Sequence, residues 1–148
     1  MPAIPGLRSC YARVGRLVYF GRMLDKIRLH AKGALPSDYH NNLGAGFDGR
    51  CCAFLRVQYS DVVEQVKQGK SDEAVLSWCE SQGGARTDDE CNIWCRFMMK
   101  IGWRDDRTVV LQQRIGEYGL QGQPIETFFD LNEFDEGRNP VATQPWLG

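Results

Sequence analysis

Residues 17–33 read LVYFGRMLDKIRLHAKG. Leu17, Phe20, Leu24, Ile27 and Ala31 recur every three or four positions, the spacing that lines one face of an α-helix, and Gly33 punctuates its end. Arg22, Asp25 and Arg28 stand three apart on another face, where Asp25 can pair with either arginine for about 0.2–0.5 kcal/mol. A helix with one apolar stripe needs other elements to cover it, and the rest of the chain offers mostly helices.

Downstream, residues 36–46 form the longest polar loop, with Gly44 and Gly46 near its end. Asp48 then reads as an N-cap, with Phe47 before it and Cys52 at the staple position, leading into Phe54, Leu55 and Val57. Ser60 opens a short helix with Val62, Val63 and Val66 that Gly69 can close. Ser71 caps the next, with Asp72 and Glu73 in its first turn and Val75, Leu76, Trp78 and Cys79 for packing. Thr87 and Glu90 have capping-box spacing ahead of Ile93, Trp94, Phe97, Met98 and Ile101. Two further helices follow, over 106–118 and 124–136. Period-two alternation is scarce. The predicted fold is all-α, a compact single-domain bundle of about six helices with a polar loop after the first long one. Residues 1–136 form the domain and 137–148 a tail that Trp146 can dock.

The bulk numbers agree. The 148 residues are 43% hydrophobic and 25% charged with a net charge of −1, values that exclude disordered and low-complexity classes. The longest apolar run near the N-terminus is Leu17–Phe20. A signal peptide needs roughly 7–15 apolar residues and a membrane span about 20, so the expected location is cytoplasmic, with no membrane contact. The six cysteines contain no CxxC pair, which argues for reduced thiols and against a zinc knuckle or a thioredoxin-like site. Charge is uneven. Residues 1–32 carry seven Lys or Arg and one Asp, whereas residues 71–90 carry six acids and one Arg. Either the two segments face one another or the basic helix meets an anionic partner. A basic excess over the whole domain is absent, which disfavours nucleic acid.

The stretch LVYFGRMLDKIRLHAKGALPSDYHNNLGAGFDGRCCAFL, residues 17–55, resembles the start of a bacterial family known as domain of unknown function number five thousand and sixty-nine. VLSWC around Trp78 and FFDLNEFDEGR at 128–138 resemble its second half, so the likeness covers roughly residues 7–138. The resemblance implies a small, soluble, largely helical bacterial domain. It brings no catalytic assignment with it.

Chemistry-bearing side chains are densest between His30 and Cys52, around a loop of the kind that carries binding sites. With Asp48 as N-cap, Cys51 and Cys52 fall in the first helical turn, where the dipole and Arg50 favour a thiolate and His30 or His40 can serve as base. Asp48 opposes this by competing for the same amides, and a buried cysteine serves equally well as packing. His30, His40, Asp38 and one of the paired cysteines have the chemistry of a zinc or iron site but no recognised spacing, so no metal is assigned and no cofactor is named. Asp25, His30, Asp38, Tyr39, His40, Asn42, Asp48 and Arg50 can instead line a polar pocket for a small anionic ligand. Cys91 and Cys95 read as packing. The acids at 130, 133, 135 and 136 read as the solvated face of an amphipathic helix. The leading expectation is a binding or interaction domain for a small molecule or protein partner, with no oligomeric state specified. A cysteine-dependent enzyme comes second, and nucleic-acid binding through the basic first helix third.

Overall fold

Tyr19 takes a left-handed backbone conformation, φ 69°, and there the quoted stretch changes character. Before it lies a short antiparallel hairpin, β1 (Arg13–Val14) and β2 (Leu17–Val18), with Arg13 opposite Val18 and Val14 opposite Leu17. After it runs α1, Phe20–Ala31. The apolar stripe therefore crosses two elements. Leu17 and Phe20 are both buried, and the bend at Tyr19 places them in the core from a strand and from a helix. Gly15 supplies the tight hairpin turn with φ 57°, a conformation that costs glycine little.

The computed structural model describes residues 3–143 and is mostly helical. Among the described residues, six elements follow α1 and a 3₁₀ segment, Ser37–Asn42: α2 (Gly46–Leu55), α3 (Tyr59–Lys67), α4 (Asp72–Gly83), α5 (Asp88–Lys100), α6 (Thr108–Glu117) and α7 (Phe128–Asp135). A short α8, Pro140–Thr143, closes the described chain, so there are eight α-helices where periodicity predicts about six. None is long and apolar enough to cross a membrane. The chain divides into two compact units, one of them Gly6–Trp94, with the boundary inside α5.

In the Gly6–Trp94 unit α1 packs against α3 and β1, while α2 packs on α3 and α4. Val18, Phe20, Met23, Leu24, Leu55, Val62 and Val75 are fully enclosed there. Phe54 of α2 stacks on Trp94 of α5 at 4.8 Å between ring centres. The end of α4 lies against the end of α2 so closely that a methyl group on Gly83 would sit 1.9 Å from the Leu55 carbonyl oxygen. Local signals hold at two helix starts. Ser71 Oγ accepts from the Ala74 amide, and Thr87 and Glu90 exchange side-chain to backbone hydrogen bonds of 3.1 and 2.9 Å.

The second unit buries Met98, Ile101, Leu111, Ile115, Phe128, Phe129 and Leu131. Here the expected helix over 124–136 is shorter. Thr127 caps α7 by accepting from the Asp130 amide, so Pro124 stays outside it. Its acids are not a solvated face. Asp130, Glu133 and Glu136 are all buried: Asp130 accepts from the Glu126 amide, and Arg138 reaches Glu133 at 3.5 Å and Glu136 at 2.5 Å. Acids and phenylalanines at helical spacing look solvated when no partner stands in the window, and Arg138 comes from beyond the helix end. Trp146 lies outside the described residues.

Candidate functional site

The residues singled out between 25 and 52 fall into three different settings. The first is an ion network on α1. The Arg8 guanidinium grips Asp25 with bonds of 2.8 and 3.0 Å and reaches Asp72 of α4 at 2.8 Å. Arg28 stands 3.4 Å from Asp25, and its second terminal nitrogen lies 2.8 Å from Asp72 Oδ1, a charge contact without hydrogen-bond alignment. Burial alone would raise the Asp72 carboxyl, but the arginine contacts outweigh it and hold the group below its ordinary value. Asp25 is thus committed to structure.

The second setting surrounds Asp48. It is not an N-cap: Ala45 holds that position, and Asp48 is the third residue of α2 and fully buried. Its Oδ1 accepts from the Tyr19 hydroxyl at 2.6 Å and from Lys26 Nζ at 2.9 Å, and its Oδ2 accepts from the Gly44 amide at 3.1 Å. Lys26 also donates to the Tyr19 oxygen at 3.2 Å. Burial, then the Asp48 charge, pushes the Tyr19 hydroxyl well above its usual range. Removing a lysine and an aspartate from water is offset only by pairing and hydrogen bonding, and both are present here. The expected position of Asp48 fails because α2 starts two residues before it, at Gly46, after a turn at Gly44 (φ 75°) where a Cβ would sit 2.8 Å from the Tyr59 ring.

Cys51 and Cys52 come sixth and seventh in α2, past the first turn, and both are buried. The Cys52 sulfur lies 3.9 Å from that of Met23. Burial, followed by the Asp48 charge, pushes its thiol up to about 12, opposite to the shift an activated nucleophile needs. Cys10, Cys79, Cys91 and Cys95 are buried as well.

The third setting is exposed. His30, in the last turn of α1, and His40, in the 3₁₀ segment, bring their rings together at 4.8 Å between centroids and 77° between planes. His40 Nε2 lies 2.8 Å from the Leu35 carbonyl oxygen. Asp38, Asn42 and Arg50 are also exposed, and Tyr39 is half-buried. Among the described residues no group of three or more His, Cys, Asp or Glu gathers as a metal site, so Asp38 and the cysteines do not complete the cluster that residue types suggested.

Sequence reading did not find an open cleft of about 530 Å³ beside the hairpin, lined by Arg13, Arg16, Asp88, Asp89, Cys91 and Asn92. The Arg16 guanidinium bonds Asp88 at 2.5 Å and the Arg86 carbonyl at 2.8 Å, spanning from the hairpin to the start of α5. A family model described as Domain of unknown function (DUF5069) matches residues 4–138. The chain belongs to that family. No curated protein and no solved structure matches it. The matched stretch takes in the DUF5069 chain from before the hairpin to Arg138, so the cleft and the histidine pair both lie within it. The only signal for the cleft was charge: Arg13 and Arg16 belong to the basic N-terminal segment, and Asp88 and Asp89 to the acidic one.

Proposed function

We propose that the chain is a small binding domain of the bacterial cytosol, not a cysteine enzyme, and that its ligand seat is the cleft between the hairpin and the start of α5. The observation that carries this reading is the two-signed lining of that cleft, with Arg13 and Arg16 contributed by the hairpin and Asp88, Asp89 and Asn92 by α5. Guanidinium groups present paired N–H donors suited to a carboxylate. The neighbouring carboxylates suit an ammonium group, and Asn92 can donate or accept. A small zwitterion such as a free amino acid presents both signs that the lining complements.

The remaining alternatives receive less support. A thiol mechanism would draw on buried cysteines, and the Cys52 thiol is shifted the wrong way. Nucleic-acid binding would draw on Arg8, Lys26 and Arg28, each of which engages a carboxylate of the same chain.

The test is a titration of the protein with free amino acids, their amides and their decarboxylated amines, followed by amide NMR shifts. The expected result is saturable shifts at Arg13, Arg16 and Asn92 for the amino acids, weaker by tenfold or more for the amides, and lost in Arg13→Gln. Saturable shifts confined to another region, or none with any of these compounds, would overturn the reading.

A further inference from the structure

The chain has only two histidines, and they touch. They come from different elements, one in the last turn of α1 and one in the 3₁₀ segment, and the turn between them doubles back through hydrogen bonds from the Gly33 amide to the His30 carbonyl and from the Ala34 amide to that of Leu29. We propose that His30 and His40 form a two-imidazole site for a divalent late-transition-metal ion of the zinc or copper class.

Three features support this site. A carbonyl oxygen only accepts, so the 2.8 Å contact with Leu35 places the His40 proton on Nε2 and leaves the Nδ1 lone pair to a metal. A histidine that donates one ring N–H to a backbone carbonyl is the usual outer arrangement of a metal ligand: it fixes the tautomer, aims the ring and raises the basicity of the ligating nitrogen. Next, the rings meet edge to face with centroids 4.8 Å apart, close enough for one ion to take a nitrogen of each at the usual metal–nitrogen distance of about 2.0–2.1 Å. The third feature is charge. His30 stands at the C-terminal end of α1, where the helix dipole favours a cation.

Imidazole suits zinc, copper and nickel in preference to magnesium or calcium, which choose oxygen. Among the described residues no further His, Cys, Asp or Glu completes a set of three, so the ion keeps open positions for water or for a donor atom of a bound molecule. The site stands apart from the argument for the cleft, because neither histidine lines it.

Both side chains are exposed, so their replacement leaves the core intact. The experiment is a Zn²⁺ titration of the full chain at pH 7.5 in a non-chelating buffer, read by calorimetry and by the ring C–H signals of the two histidines. The expected result is one equivalent bound, with both rings shifting together. The affinity should fall at least tenfold in His30→Ala and in His40→Ala. Zinc that binds with unchanged affinity in either variant, or that leaves the ring signals unmoved, would overturn the proposal.

Discussion

Asp48 is fully buried, and three donors from three different segments serve its carboxylate: the Tyr19 hydroxyl, the Lys26 ammonium and the Gly44 amide. A charge in this position tolerates loss of a partner poorly, whereas removing both charges leaves no charge unpaired, only the Tyr19 hydroxyl and the Gly44 amide without their acceptor. Asp48→Ala should therefore lower stability by about 3–5 kcal/mol in urea unfolding, and Lys26→Met with Asp48→Leu should recover part of that loss. A single variant no less stable than wild type would show that the pair is not a structural tie. The sequence placed Asp48 at a helix start, which is close in register. It could not show that the carboxylate turns inward, because Tyr19 and Lys26 lie 29 and 22 residues away along the chain.

Elements are more legible than residues, because caps and turns act within a few positions. The start of α5 was readable from Thr87 and Glu90 alone, and both bonds of the box are made. Thr87→Ala should cost about 1 kcal/mol in thermal or urea unfolding, and Thr87→Ser should restore most of it. An alanine variant that unfolds like wild type would place the control of this terminus elsewhere, with the Arg16 bond to Asp88 as the next candidate. The hairpin was less legible. Two-residue strands are too short to show alternation, and the spacing from Leu17 to Phe20 imitates one helical turn. Tyr19 separates the two elements by adopting a positive φ, a conformation that residue type does not announce.

Across the Gly6–Trp94 unit, the uneven charge of the sequence resolves into internal pairing. Arg8 and Arg28 meet Asp72, and Arg16 meets Asp88, so the basic N-terminal segment is held against the acidic one. Asp72 titrates below its ordinary value, so its pairing stabilises the folded state fully above about pH 4, the unfolded carboxylate range, and that contribution is lost as pH falls through the lowered value. Acid unfolding of the wild type should therefore steepen below about pH 4. Asp72→Asn should be less stable at pH 7 and flatter on acidification, as followed by circular dichroism. Equal acid slopes for the two proteins would remove Asp72 from the account.

What the sequence determined by itself was local: a mostly helical chain, the caps at Ser71 and Thr87, glycine stops after several helices, and membership hinted at by residues 17–55. These follow from interactions within one or two turns, where spacing is enough to decide the outcome. Tertiary structure decided which polar groups face inward. It buried Asp48 and three acids around α7, gathered Arg13 and Arg16 with Asp88 and Asp89 around one cleft, and brought His30 to His40. The physical reason is that the cost of burying a charge, and the partner that offsets it, depend on residues far apart in the chain.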